Sequence, residues 1–463
     1  MSVNLSLFVS LNFAWVCMVN TTTATNNHSY RDGRSLATLN WNKTQQQYLF
    51  AAIYIGGALA LFFTGPMLHL LGAKRMFTAG IAVSSLANAL IPVVSSYSYI
   101  PVIFLRFIVG LGASNFFPIS FDMSSHWAAS DEMGRLMALA LSGVQAGSAI
   151  GLMLDGIECN RLGWPWVFYM SSGASVLFLL LWWFFYSDKP EESRWISQRE
   201  LEYIVRKRAA IKKKAGRALP YGSLFRSSGF WALCVASISM GYCGIFVSYV
   251  PTYLNEVYNV QLEHNGFLSS LPYFAMLFGR LLSGSLSDKK FCFSSHTGVV
   301  KTFASLGFFG FSASFLVLIF SDELHWIAIF LFITNFILMF NTGGHYKSPL
   351  YMAPAYSGSL ISLATVFNFS AQAVFPFLVT ALTFGGTATE WHKLFFSSIG
   401  VGVFGGIFFV IFGKGELEPW AVTTVLGTAS SCQDNSSKNG LSIIPADPVK
   451  MVDETTKVSI KSL

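Results

Sequence analysis

Apolar residues run along this chain in blocks of about 20, separated by short polar stretches, and each block is long enough to cross a hydrocarbon core of about 30 Å as a helix. The blocks fall near 3–19, 47–71, 76–95, 99–124, 136–156, 166–186, 230–253, 266–287, 302–320, 325–345, 357–382 and 394–412. The pattern predicts six spanning helices, a long polar segment and six more. The first block is the exception. It sits at the lower length limit and carries Asn4, Ser6, Ser10 and Asn12. A signal peptide is disfavoured, because there is no basic leader and no small-residue cleavage site. The expectation is a first helix that is short or lacks its cytoplasmic half.

The polar segments set the orientation. Segment 187–228 holds Arg206-Lys207-Arg208 and Lys212-Lys213-Lys214, and such basic clusters resist transfer across a bilayer, so the segment is expected to be cytoplasmic. Both termini then lie on the cytoplasmic side and 20–46 lies outside. In that outer loop Asn20, Asn27 and Asn42 each open an N-x-S/T sequon, and all three are candidate glycosylation sites. The sequon at Asn435 falls in the tail and is expected to stay unmodified. The predicted organisation is an N-terminal six-helix half, 1–186, with its glycosylated loop 20–46, and a basic linker, 187–228. A C-terminal six-helix half, 229–412, and a largely disordered cytoplasmic tail, 413–463, follow.

Composition fits lipid as the solvent, with 53% hydrophobic and 11% charged residues and a mean hydropathy of +0.52. The net charge of +7 resides in loops, where it sets topology rather than binding nucleic acid. The six cysteines show no CxxC and no metal-ligand spacing, which predicts neither a disulfide framework nor a zinc site. No GxSxG, HExxH or Walker-type loop is present. The expectation is therefore a non-enzyme with no cofactor, no bound metal and no direct use of ATP.

A repeat links the two sets of six helices. Gly65-x-x-x-His69-x-x-Gly72-Ala73-Lys74-Arg75 follows the second block, and Gly284-x-x-x-Asp288-Lys289-Lys290 follows the eighth. Glycine lets helices approach, and a charged turn at a cytoplasmic helix end can pair with a neighbouring terminus that opens and closes. Gly72, Lys74, Arg280, Gly284, Asp288 and Lys289 are thus candidates for a cytoplasmic gate. An alternative reading of the same turns is that short cytoplasmic connections simply favour Gly and Lys.

Ordered strings then carry a family resemblance. In the second half these are Pro251-Thr252-Tyr253, Asn265-Gly266-Phe267-Leu268-Ser269-Ser270-Leu271-Pro272-Tyr273, Ala353-Pro354-Ala355-Tyr356-Ser357-Gly358 and Lys414-Gly415-Glu416 with Trp420. The first half supplies Gly72-Ala73-Lys74, Arg106, Gly110-Leu111, Ser142-Gly143-x-Gln145-x-Gly147 and Gly163-Trp164-Pro165. Together they resemble the anion/cation symporter family of the major facilitator superfamily, which includes sialin, the vesicular glutamate transporters and the type I sodium–phosphate cotransporters. The resemblance implies an all-α membrane protein with two six-helix halves around a central cavity. The chain departs from the family where an arginine, a glutamate and a histidine are usual: Ser2, Ala113 and Phe121 stand there. Ser348-Pro349-Leu350-Tyr351 replaces an Asn-His-x-Asp string.

Within the spans, polar groups are costly and therefore informative. Arg106 lies roughly 10 Å inside the fourth span at 1.5 Å per residue, where a carboxylate or phosphate would be a natural bidentate partner. With Tyr242, Gln145 and Asn341 it forms the candidate substrate or gating set, although such residues also join helices to one another. Asp122 is the candidate for a displaced coupling charge. His345 and Lys347 read as ordinary charge at a span end. The implied function is secondary active transport of a small anion, of the phosphate, carboxylate or acidic-sugar class, coupled to sodium or a proton. The host is either the plasma membrane or a vesicle or lysosome membrane. The alternatives are an uncoupled anion uniporter or channel of the same fold, and a transport-inactive receptor or scaffold.

Overall fold

Backbone N–H and C=O groups in hydrocarbon have no water to bond, so an apolar block settles as a helix that satisfies itself. In the computed structural model the described residues are 2–19, 30–31, 34–35, 39–127, 133–212, 220–288, 295–321, 323–353 and 356–421. The first half contains α1 (Ser2–Met18), α2 (Lys43–Leu71), α3 (Ala73–Ser95), α4 (Tyr99–Ala113), α5 (Phe116–Trp127), α6 (Met133–Arg161) and α7 (Trp164–Phe185). A basic helix, α8 (Gln198–Lys212), and a single turn, α9 (Tyr221–Leu224), occupy the linker. The second half contains α10 (Ser228–Ile245), α11 (Val250–Tyr258), α12 (Leu262–Asp288), α13 (His296–Ile319), α14 (Leu324–Leu338), α15 (Ser348–Met352), α16 (Ser357–Leu382) and α17 (Ala388–Phe412). Residues 418–463 separate from 1–417 as a second unit.

The packing repeats between halves. In the first, α3 lies against α4 and α7, α2 against α4, and α1 against α6 and α7. In the second, α13 lies against α14 and α17, α12 against α14, and α10 against α16 and α17. The halves meet along α2–α16 and α6–α12. Twelve predicted blocks thus become two copies of one six-helix plan. Large side chains such as Phe104, Phe184 and Phe404 stay exposed on the outer surface, as a lipid-facing belt requires. Nine stretches among the described residues are long and apolar enough to cross a membrane. The other three spans of the plan are α1, which has 17 residues, α6 and α12.

Three spans are broken. The fourth divides at Ser114 and Asn115 into α4 and α5, the seventh passes through a 3₁₀ turn at Phe246–Tyr249, and the tenth through another at Met339–Thr342. Irregular backbone at this depth needs internal partners. In the tenth span the Gly343 amide donates to Phe340 O at 3.0 Å and lies 3.0 Å from Ser283 Oγ, which itself donates to Phe340 O at 3.0 Å. Close helix approach is written in glycine: a Cβ on Gly110 would collide with the Ile53 carbonyl, and one on Gly156 would lie 3.0 Å from Gly266 Cα.

One expectation is corrected. Cys17 and Cys159 form a disulfide with Cα atoms 6.5 Å apart. A sequence separation of 142 hides the pairing in the sequence; the packing of α1 on α6 brings the same ends of the two helices together. Cys234 and Cys243 are free and buried. Beside the bridge, Leu39 N donates to Met18 O at 3.0 Å and closes the 20–38 loop. Within that loop a minimal antiparallel hairpin pairs Tyr30–Arg31 with Arg34–Ser35. Asn20 and Asn27 lie outside the described residues. We call this end of the bundle the loop face and the opposite end, which carries α8, the linker face.

Candidate substrate pathway and gates

Arg106 is fully buried on α4. Its Nη1 donates to Leu7 O at 3.0 Å and its Nη2 to Phe8 O at 3.1 Å, so the guanidinium clasps the α1 backbone. No carboxylate among the described residues pairs with it, and its Nε has no hydrogen-bond partner there. Tyr54 of α2 is its electrostatic neighbour. Ser248, set by the break in the seventh span, lies within hydrogen-bonding reach of both Tyr54 and Tyr273. Tyr249, one residue on, donates to Gln47 Oε1 at 2.7 Å. Phe8, Phe50 and Phe369 pack on these rings. The centre of the bundle is therefore one cation among tyrosine hydroxyls and aromatic faces, contributed by α1, α2, α4, the seventh span and α12. The tyrosines were not read from the sequence, because aromatic residues are everywhere in this chain and only the helix break selects these.

The other three residues of the sequence-derived set are not brought to Arg106 by direct contact. Tyr242 shares a 2.9 Å hydrogen bond with Ser397 Oγ of α17 and packs edge-on to Phe375. Gln145 is buried in α6. Asn341 is buried in the tenth-span turn, donating to Leu338 O at 3.1 Å and lying 3.2 Å from His345 Nδ1.

At the loop face the halves are bridged. Lys43 Nζ lies 2.8 Å from Glu256 Oε1 and donates to Thr383 O at 2.8 Å, while Trp391 Nε1 donates to Glu256 Oε2 at 3.2 Å. A second bridge joins α6 to α12, with Asn160 Nδ2 donating to Glu263 Oε1 at 2.8 Å and Arg161 Nε 3.5 Å from the same oxygen. Each bridge pairs groups about 100 residues or more apart in sequence, so neither was legible in advance. Asn42 starts α2 with a reciprocal cap, Gln45 N to Asn42 Oδ1 and Asn42 N to Gln45 Oε1, both 2.9 Å. Neither bond uses Nδ2, the atom a glycan would carry.

At the linker face Gly72 turns between α2 and α3 with φ +77°, a conformation that favours glycine. The Lys74 amide at the start of α3 donates to Asp188 Oδ1 at 2.7 Å, and the Lys74 ammonium lies 5.1 Å above the Trp183 ring. An acid just beyond α7 thus caps α3 and complements its dipole. Sequence spacing did not single out Asp188. On α12, a Cβ at Gly284 would meet open space, and the Asp288 side chain and Lys289 lie outside the described residues. Arg280, by contrast, is buried, with Nη2 3.6 Å from Met339 Sδ and Tyr346 as its electrostatic neighbour.

Asp122 on α5 lies 3.6 Å from His126 Nδ1 and is partly exposed. Two buried acids went unnoticed in the sequence. Asp155 and Glu158 stand one turn apart on α6, and Glu158 Oε2 has no hydrogen-bond partner among the described residues. Their signal was available: two acids at i, i+3 near the end of an apolar run. No group of three or more metal-ligating side chains occurs among the described residues.

Residues 4–376 match the sequence profile of the Major Facilitator Superfamily. The chain is 30% identical to human sialin over 390 residues, covering 82% of this chain and 78% of sialin. It is 29% identical to mouse sodium-dependent phosphate transport protein 3 over 392 residues, covering 83% and 81%. The crystal structure of a D-xylose–proton symporter superposes with a TM-score of 0.61 at 14% identity, covering 89% of this chain and 97% of that one, which speaks for the fold alone. The chain belongs to the major facilitator superfamily and, within it, to the anion/cation symporter family of sialin and the sodium–phosphate cotransporters; it is a multi-pass membrane transporter and not an enzyme.

Proposed function

We propose that the protein is a secondary active transporter of a small organic or inorganic anion, of the phosphate, carboxylate or acidic-sugar class, coupled to a cation and working by alternating access. The observation that carries this is Arg106. A guanidinium keeps its charge, and here that charge is held by two backbone carbonyls rather than by a carboxylate. A buried cation of this kind is completed by an anion from outside the chain. Phosphate transport named for a relative of similar length supports the same class. The two halves, 1–186 and 229–412, rock about the site, with 187–228 as their connection. The loop-face bridges describe the state in which that face is shut.

The loop face is the exoplasmic or lumenal one. Three sequons, a disulfide that needs an oxidising compartment and the basic linker at the opposite end agree on this orientation, which leaves both termini cytoplasmic. The membrane is that of the cell surface or of a vesicle or lysosome.

The test is uptake of labelled phosphate, urate, glucuronate and succinate into proteoliposomes under imposed proton, sodium and voltage gradients. Accumulation of one anion, with at least a roughly tenfold lower rate in a folded Arg106→Gln variant, is the expected result; tenfold corresponds to about 1.4 kcal/mol, within the worth of one charged hydrogen bond. Absence of flux for every anion under every gradient overturns the proposal and leaves a scaffold role.

A further inference from the structure

His345 looks from the sequence like charge at the end of a span, yet it is fully buried. It lies in the linker-face half of the bundle, in the turn between α14 and α15. Its ring is sandwiched: Phe308 of α13 lies nearly parallel with centroids 6.0 Å apart, Tyr346 is at 4.3 Å, and Phe409 of α17 is edge-on at 6.4 Å. The ring lines a pocket with Tyr346, Ser237 of α10, and Thr365 and Asn368 of α16.

The hydrogen bonds fix what the ring offers that pocket. Asn341 Nδ2 donates to Leu338 O at 3.1 Å, which turns Asn341 Oδ1 toward His345 Nδ1 at 3.2 Å. An amide oxygen only accepts, so Nδ1 carries the hydrogen. Nε2 is then a bare lone pair, and among the described residues it has no partner. The arrangement is held from behind: a Cβ on Gly307 would collide with Asn341 Nδ2, and one on Gly344 would sit 2.5 Å from the Ala304 amide nitrogen. A buried acceptor left unsatisfied costs free energy, and the tautomer that Asn341 sets places that cost on Nε2, a fully enclosed atom.

The charged and titratable groups around it are few. Tyr346 is its neighbour in sequence, Arg280 of α12 is electrostatically linked to Tyr346, and Lys347 Nζ donates to Ser287 Oγ at 2.6 Å. The pocket walls from α10 and α16 carry no ionisable side chain, and α13 and α17 present phenylalanines to the ring. A proton on Nε2 would therefore place a second cation in the neighbourhood of Arg280, which opposes protonation in the absence of anion. The negative charge of an anion entering the bundle offsets that repulsion.

We propose that His345 is the proton-carrying residue of this transporter, and that it binds its proton together with the anion. The step is a simple transfer. A hydronium from the linker-side solution gives its proton to the Nε2 lone pair, forming one N–H bond and leaving water. The +1 on the ring is balanced by the −1 of the incoming anion, and both leave when the pocket opens to the other face. By reciprocity, whatever factor the anion adds to proton affinity the proton adds to anion affinity. This rests on the anion-transport reading above and gives it a coupling residue on a different helix from the acid and histidine that the family usually carries on its fourth.

Full-length protein in nanodiscs, labelled with ¹⁵N-histidine and assigned with His345→Gln, tests the assignment by NMR titration between about pH 8 and about pH 4. The expected result is an Nδ1–H neutral ring in the absence of anion, and a protonation midpoint that rises when phosphate, glucuronate or succinate is added, for whichever the proteoliposomes take up. Uptake by the wild type should rise about tenfold for each unit that pH falls toward that midpoint from the alkaline side, and uptake by His345→Gln should lose this dependence. A ring that stays neutral throughout with the transported anion present, or identical pH profiles for the two proteins, overturns the assignment of His345 alone. No uptake by the wild type overturns the transport reading beneath it.

Discussion

A buried or half-buried ionisable side chain is expensive, and in this bundle several show how that cost is met. Arg106 is met by the Leu7 and Phe8 carbonyls, Lys43 by Glu256 and Thr383, and Asp188 by the first amide region of α3. Glu158 is met less well, with Oε2 unpartnered among the described residues and a place in the last turn of α6, where the helix dipole disfavours an acid. Glu158→Gln is expected to stabilise the fold by about 1–2 kcal/mol, read as a higher denaturation midpoint in detergent at neutral pH. An unchanged or lower midpoint would mean that the carboxylate has a stabilising partner. Legibility at this scale divides by sequence distance. Arg106 stood out because a guanidinium in an apolar run has few explanations. His345 did not, because position along the chain places it at a span end and only the turn through Gly343 and Gly344 folds it inward.

At the scale of elements, every one of the twelve apolar blocks coincides with a helix or a broken helix, and nine of the described stretches are long and apolar enough to cross a membrane, since hydrocarbon leaves the backbone no alternative to a helix. Breaks within spans were invisible to that measure. Hydropathy does not distinguish a straight helix from α10 and α11 joined by a 3₁₀ turn, yet it is this turn that sets Ser248 and Tyr249 toward the centre. The pairing of α6 with α12 through Gly156 and Gly266 was likewise beyond reach, because the contact depends on which faces meet. Gly156→Ala is expected to overpack that crossing by about 1–3 kcal/mol and to lower uptake more than thermal stability, because the two helices belong to different halves. Gly400→Ala, where a Cβ meets open space, is the control expected to change neither. Equal effects of the two substitutions on uptake would show that the crossing is not under strain during transport.

For the molecule as a whole, the proposed alternating access makes the loop-face bridge between Lys43 and Glu256 a tie that holds one of two states. The pair is largely buried, with side-chain exposures of 24% and 9%, so removing one partner should shift the balance toward an open loop face by about 1–3 kcal/mol, roughly 5- to 150-fold in population. Spin labels at Thr44 and Asn259 would report this as a longer distance in Lys43→Ala and a return to the wild-type distance in Lys43→Glu/Glu256→Lys. The same distance in all three would mean that the remaining contacts, Tyr249 on Gln47 and Glu263 on Asn160, suffice to keep the face shut.

The bridge between Cys17 and Cys159 bears on how the protein is made rather than on how it works. Cys17 leaves the ribosome with the first helix, but its partner is 142 residues behind, at the far end of the fifth span. Until α6 has been inserted, α1 is held by packing, by the Leu39 amide on Met18 O and by the grip of Arg106. Free thiol at Cys17 is thus a marker of unfinished assembly, one that alkylation during a pulse-chase would display as a mobility shift. A host that synthesises the chain with its loop face in a reducing compartment would deliver α1 without its covalent tie.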